Sequence, residues 1–443
     1  MEAYSVVLIL LAIATGLSPV VKRMNFPYPV LLLLAGIGVG FIPHFGVIDI
    51  QPDVVFLLFL PPVLYEAAYN ISFREFKRNI PTISLLAFRL VFVTTGTIAV
   101  CVHYVIGLEW SLSFVLGAIL SPPDAIAAAG VTKGLNLPRR TNIILEGESL
   151  INDASALVAF RFATAAVAGI AFVPMQAIGL FLLSLAGGFL IGWLLGHIFI
   201  GLAKRLADNN VIVTLNLLLP FVAYLIAEEF RVSGVIAAVS LGLIISRHKA
   251  NLSEKSIVQS KSVLETIVFI LNGLIFILIG LEFPRVLKNI PDDQIFPLIA
   301  CAFLIFIVAL IIRMSVIFYH KISIKKRFDT IQRRLEHLSK DQREHLLQRR
   351  RLFRNRKNDD SPDDFKSLLL STKEAFVIGW SGMRGIVSLA AALSLPLVMD
   401  DGSIFPYRNT LIFLTVAVVI IMLIVQGLGL PILVKQLKFE KEK

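Results

Sequence analysis

Thirteen runs of mostly apolar residues, each near the length that crosses a bilayer, take up most of this 443-residue chain. A helix crosses the hydrocarbon core with about 20 such residues, or about 17–25 with tilt. The runs are 4–21, 28–43, 53–69, 80–107, 112–132, 141–168, 174–203, 211–229, 232–247, 262–282, 294–319, 372–397 and 407–434. Lipid offers no hydrogen-bond partner to a backbone N–H or C=O, so a crossing segment must satisfy its own, as a helix does. The fold class that follows is an all-α polytopic membrane protein with about 13 transmembrane helices. Composition agrees: hydrophobic residues are 56% and charged residues 16% of the chain, against roughly 45–50% and about 25% in soluble domains. Cys101 and Cys301 lie inside apolar runs, which indicates neither a disulfide framework nor a metal site. The first run lacks a basic region before it and a small-residue cleavage site, so it is expected to be a retained helix and not a signal.

Charge in the connections tests the count, because cytoplasmic connections collect Lys and Arg. Of the 42 Lys and Arg residues, Arg231, Arg285, Lys288 and Arg408 fall in one set of alternate connections, and Arg89, Arg161, Arg313 and Arg384 within runs. All the others lie in the other set, which starts at Lys22–Arg23, at the run ends bordering it (Arg247 and Lys373), or from Lys435 to the C-terminus. An error of one helix would scramble this split. It puts the N-terminus outside and the C-terminus in the cytoplasm. The net charge of +11 therefore lies along one membrane face, where anionic lipid is the natural partner and nucleic acid is not. The domain reading is helices 1–11 over 1–320, a cytoplasmic basic insert at 321–370, helices 12–13 over 371–435 and a short tail at 436–443. In the insert, Ile331, Leu335, Leu338, Leu346 and Leu352 recur near helical spacing among basic residues. That suits an amphipathic helix making lipid or regulatory contacts; a solvated helical spacer is the plainer reading.

Four places put polar groups at membrane depth, where a charge at a helix centre costs about 2.5–3.5 kcal/mol even on the lenient insertion scale. Such groups persist where they face protein or water, which points to an ion or proton pathway. In run six, LEGESLINDA (145–154) carries Glu146, Glu148, Asn152 and Asp153. Ser149 and Asp153 share a helix face, with Glu148 and Asn152 on the adjacent stripe. A carboxylate near the midplane takes a proton or a hard monovalent cation such as Na⁺ or Li⁺, and the two compete for one group. In run five, LSPPDAIAAAG (120–130) sets Pro122 and Pro123 before Asp124. Successive prolines break the helix and free carbonyls, which is tolerated at this depth only along a cavity. A broken helix with an acid at the break is a transporter pattern; a plain kink with Asp124 bonded to a hydroxyl is the alternative.

Run twelve, WSGMRGIVSLAAALS (380–394), holds Arg384 between Gly382 and Gly385. That arginine needs an acidic partner, assigned as Glu148 in a structural ion pair. Run three, FLPPVLYEAAYN (59–70), holds Pro61, Pro62 and Glu66; Glu66 either lines the same cavity or lies near the interface. Arg89, Arg161 and Arg313 are expected to pair or snorkel. Runs five and twelve are seven crossings apart, and an odd offset inverts orientation. Runs 1–6 and 8–13 can thus form two inverted six-helix repeats linked by run seven, with interrupted helices at matching positions.

With these residues in view, the chain resembles the monovalent cation/proton antiporters, in particular their electroneutral sodium/proton exchanger branch (NhaP-type). EGESLINDA (146–154), with its Asn152–Asp153 pair, is the most specific element; SPPDA, GMRG, PPVLYEA and VQGLGLP (425–431) support it in the same order. The resemblance implies crossed broken helices, alternating access and a homodimer. It implies that Asp153 is the essential cation/proton carboxylate, that Asp124 and Ser149 neighbour it in a Na⁺ site, and that Glu66 is a further acid near the site. It implies that Glu148 and Arg384 form a core-stabilising pair, and that Asn152, where the electrogenic branch has aspartate, goes with one H⁺ per cation. Pro123 stands where many members have a hydroxyl residue, which removes a side-chain ligand there and leaves the Na⁺/K⁺ preference open. The function expected is electroneutral Na⁺(Li⁺)/H⁺ antiport serving pH homeostasis, with no cofactor beyond the transported ions and no enzyme activity. K⁺/H⁺ antiport or sodium-coupled solute transport on the same fold is the alternative. An intramembrane aspartyl protease using Asp124 and Asp153 is remote, since neither aspartate sits in a Gly-x-Gly-Asp element. The short tail suggests a bacterial inner membrane.

Overall fold

The computed structural model describes residues 28–42, 52–124, 137–170, 174–336, 369–399 and 402–437, with Ala12 and Gly16. Its helices are α1 (Tyr28–Gly40), α2 (Pro52–Asn70), α3 (Phe73–Ser84), a π turn (Leu85–Leu90), α4 (Val91–Ile106), α5 (Trp110–Ile119) and α6 (Arg139–Val167). Then come α7 (Pro174–Ala203), α8 (Asn209–Glu229), α9 (Gly234–Arg247), a 3₁₀ turn (Lys249–Asn251), α10 (Glu254–Lys288) and α11 (Asp292–Glu336). The last three are α12 (Thr372–Trp380), α13 (Ile386–Leu393) and α14 (Arg408–Leu437). A helix covers all or part of every expected run from the second to the thirteenth. The first run, apart from Ala12 and Gly16, lies outside the described residues. Among the described residues, seven helices are long and apolar enough to cross a membrane.

Local sequence explains the ends and interruptions. Ser371 and Glu374 close a capping box at the start of α12, each side chain bonding the other's backbone N–H, which satisfies two of the donors a helix start leaves orphaned. Arg140 at the start of α6 donates to Asn79 Oδ1 (3.2 Å) and to the Leu369 carbonyl (3.1 Å), so α3, α6 and the lead into α12 are tied at one end of the bundle. The boundary expected at 320/321 falls inside α11, which runs unbroken to Glu336; 337–368, with most of the amphipathic pattern, lies outside the described residues.

The main apolar core forms where α1, α4, α5, α10, α11, α13 and α14 meet, around Leu33, Ile98, Leu116, Ile277, Ile305, Leu389 and Val418. By contrast, α7 presents Leu182, Leu183, Leu190, Leu194 and Ile198 outward. An apolar surface of that extent belongs against lipid or another membrane protein. At two places on expected runs the described chain leaves the helical form. α5 stops at Ile119 and the chain is non-helical through Asp124; α12 stops at Trp380 and α13 begins at Ile386. These are the two breaks expected from SPPD and GMRG, seven runs apart.

Candidate functional site

The two breaks cross and bond each other. Asp124 donates its backbone N–H to the Met383 carbonyl (2.7 Å), and its Oδ2 accepts the N–H of Ile386 (3.1 Å). Ile386 is the first residue of α13, so its N–H has no partner within the helix, and a carboxylate suits the positive end of the helix dipole. Gly385 makes the approach possible, because a Cβ there would overlap the Asp124 carboxyl group. Gly385→Ala is expected to displace Asp124 and reduce transport at least about tenfold, while a Gly→Ala change at an open helical site would be mild. Initial-rate flux on correctly folded protein checks this.

Asn152 joins the crossing from α6. Its Nδ2 donates to the Pro123 carbonyl (3.1 Å), in the non-helical stretch that follows α5. The Oδ1 of Asn152 is buried with no hydrogen-bond partner among the described residues. A buried acceptor in that condition is costly and fits an oxygen ligand waiting for a cation. Asn152→Ala should remove the amide bond to the Pro123 carbonyl and lower stability by about 1–3 kcal/mol, measurable as a fall in thermal unfolding midpoint. Asp153 follows on the same turn and is 3% exposed, with Asp124 and Glu148 as its electrostatic neighbours. Ser149 lies one turn earlier on the Asp153 face. One turn beyond Asn152 on its face, Ser155 donates to the Ala87 carbonyl (2.6 Å) on the π turn. A π turn shifts the hydrogen-bonding register and often marks a functional position; here it holds α6 at the level of Asp153.

Glu148 is paired, but not as expected. Both of its carboxylate oxygens accept from Arg313 of α11, Nη1 to Oε1 at 2.6 Å and Nη2 to Oε2 at 2.9 Å, and both side chains are almost fully buried. Arg313 Nε donates to the Ile378 carbonyl near the end of α12 (3.1 Å), and Gly382 leaves room for the arginine stem. The forked guanidinium thus engages both carboxylate oxygens, and no hydrogen bond or ion pair joins Arg384 to Glu148 among the described residues. Arg384 is also buried, close to Arg313 and Glu148, with Nε and Nη1 unpartnered among the described residues. The Glu148–Arg384 pair is therefore corrected to Glu148–Arg313, with Arg384 a second cation beside it.

The other arginines in the runs also find partners. Arg161 Nη2 donates to both carboxylate oxygens of Glu228 of α8 (2.8 Å each), and Arg89 lies over the Tyr319 ring (5.0 Å). Glu66 is not among the groups facing Asp153. It bonds Asn70 on its own helix, and its charged neighbours are Glu265, Glu146 and Lys261. The supporting motifs have structural work: Tyr65 of PPVLYEA bonds Asn216 of α8, and the Gln426 carbonyl of VQGLGLP accepts from Trp380 Nε1 just before the second break (3.1 Å). Two parts of the crossing went unread in the sequence, the Arg313 pairing and the capping of α13 by Asp124. The second had a signal: a helix restarting after GMRG leaves orphan N–H groups facing the other break.

Comparison with known proteins follows the same lines. The family described as "Sodium/hydrogen exchanger, transmembrane" matches residues 6–436. The chain is 31% identical to the uncharacterized Na⁺/H⁺ exchanger YjcE of Escherichia coli over 99% of this chain and 77% of that protein. It is 33% identical to a sodium, potassium, lithium and rubidium/H⁺ antiporter of Bacillus pumilus, over 98% of this chain and 61% of the relative. The fold matches the sodium proton antiporter MjNhaP1 from Methanocaldococcus jannaschii with a TM-score of 0.72 at 18% identity, over 98% of each chain. The chain, a polytopic helical membrane protein with two broken helices crossing beside a buried aspartate, belongs to the sodium/hydrogen exchanger family.

Proposed function

We propose that the protein is an electroneutral antiporter exchanging Na⁺ or Li⁺ for H⁺ by alternating access, with both ions competing for Asp153. The observation that carries this reading is the charge balance at the crossing. With Asp153 neutralised, Asp124 and Glu148 stand against Arg313 and Arg384. A proton on Asp153 gives that balance, and so does a bound monovalent cation. The bare carboxylate breaks it at a buried position, where an uncompensated charge is expensive. The loaded forms therefore cross readily and the empty one does not, which couples the two fluxes and moves no net charge. Asp153, Asp124, Ser149 and the Asn152 Oδ1 supply the oxygens for the transported cation, with the Pro123 carbonyl held beside them. The preference of Na⁺ over K⁺ is part of the proposal; the breadth of ions in the name of the Bacillus pumilus relative supports K⁺/H⁺ exchange as the second reading.

The face carrying the basic connections is taken as cytoplasmic, in a bacterial inner membrane, with the N-terminus outside. The boundaries 1–320, 321–370, 371–435 and 436–443 stand as the proposed division, with lipid or regulatory contact by the basic insert. The outward apolar surface of α7 is available to lipid and to a second copy in a homodimer. Electroneutrality is tested in proteoliposomes by imposing opposite membrane potentials with the pH gradient fixed. Equal initial rates of Na⁺-driven proton flux are expected; a rate that follows the potential would overturn one-for-one exchange.

A further inference from the structure

A second group of charges lies between the basic-connection face and the crossing. Glu66 on α2 is within electrostatic range of Glu146 on α6 and of Lys261 and Glu265 on α10. Glu146 precedes Asp153 by two turns of α6, about 10 Å along the axis at about 1.5 Å per residue. Glu146 and its neighbours therefore lie on the basic-connection side of Asp153 along α6.

Lys249, at the start of the 3₁₀ turn between α9 and α10, reaches the same place. Its Nζ stands 3.9 Å from the centroid of the Tyr69 ring, one turn beyond Glu66 on α2, and its charge is felt by both Glu66 and Lys261. Lys261 has a carboxylate close by, Glu265 at 3.8 Å. Lys249 has none within ion-pair distance among the described residues. An aromatic face holds an ammonium in place without cancelling its charge, so a positive charge remains fixed beside Glu66. Burial and the neighbouring Lys261 bring the Lys249 ammonium down from its ordinary 10.5 to about 8, against the pull of Glu66; at pH 7 it is still mostly protonated.

We propose that Lys249, held on the Tyr69 ring, is a positioning residue that sets the affinity for the monovalent cation arriving from the basic-connection face, by opposing its occupation of the Glu66–Glu146–Glu265 group. This rests on the antiport reading above. The tethered ammonium raises the cation concentration needed for half-maximal exchange from that face alone, because the opposite face does not pass the group on the way to Asp153.

The test measures Na⁺-driven proton flux at pH 7 in vesicles of each orientation, for the wild type, Lys249→Gln and Lys249→Arg. Lys249→Gln is expected to lower KM for Na⁺ at the basic face about threefold or more, as loss of one nearby charge implies. Its kcat and its KM at the other face should match the wild type, and Lys249→Arg should behave as the wild type. An unchanged KM, a change equal on both faces, or Lys249→Arg behaving as Lys249→Gln would overturn the proposal. Absence of Na⁺-driven flux in the wild type would instead overturn the antiport reading and this inference with it.

Discussion

Asp153→Asn is expected to abolish cation-driven proton flux while leaving the protein folded. Asparagine keeps the size of aspartate and one carbonyl oxygen, but it neither carries a proton across nor supplies the charge that holds a monovalent cation. The fold should tolerate it, because an uncompensated carboxylate at 3% exposure is a cost to the folded state, and a neutral isostere removes that cost. The unfolding midpoint should equal or exceed the wild-type value, measured on the same preparation as the flux. Flux retained at wild-type level would move the essential group elsewhere. Loss of flux with a lowered midpoint would show that Asp153 also holds the crossing together.

Arg313→Ala is expected to lower stability by about 3–5 kcal/mol, the range for stranding one partner of a buried pair. It would leave Glu148 charged, 1% exposed and without its two charge-assisted bonds, and it would free the Ile378 carbonyl that anchors the end of α12. Arg384→Ala should do much less, since Arg384 makes no hydrogen bond through Nε or Nη1 among the described residues and its removal leaves Glu148 paired. Its effect should fall on transport, through the charge balance beside Asp153. Thermal unfolding of the two variants separates the roles. A larger loss for Arg384→Ala would restore the pairing expected from sequence.

Much of this architecture was legible because the membrane imposes one simple requirement. Apolar runs of crossing length had to be helices, and each from the second to the thirteenth is helical in whole or in part among the described residues. The breaks at SPPD and GMRG were legible because proline and glycine act locally, through a missing donor and a missing Cβ. Asp153, Asn152 and Asp124 were legible as a group because polar residues at membrane depth stand out from the residues around them. Partner choice was not. Glu148 had two arginines available, Arg313 and Arg384, and the choice between them rests on the placement of α11 against α12 and on the space left by Gly382. Neither is a property of a segment read alone. The same holds for Glu66, whose neighbours Glu146, Lys249, Lys261 and Glu265 come from three other parts of the chain.

The most direct test of a single carboxylate serving both ions is the apparent KM for Na⁺ as a function of pH, from initial proton flux in proteoliposomes. Competition at Asp153 predicts that KM rises toward acid, approaching about tenfold per pH unit where the proton-bound form dominates, while the maximal rate at saturating Na⁺ holds steady. A KM independent of pH, with protons changing only the maximal rate, would mean that H⁺ and Na⁺ bind at separate groups, and the proposed mechanism would be wrong.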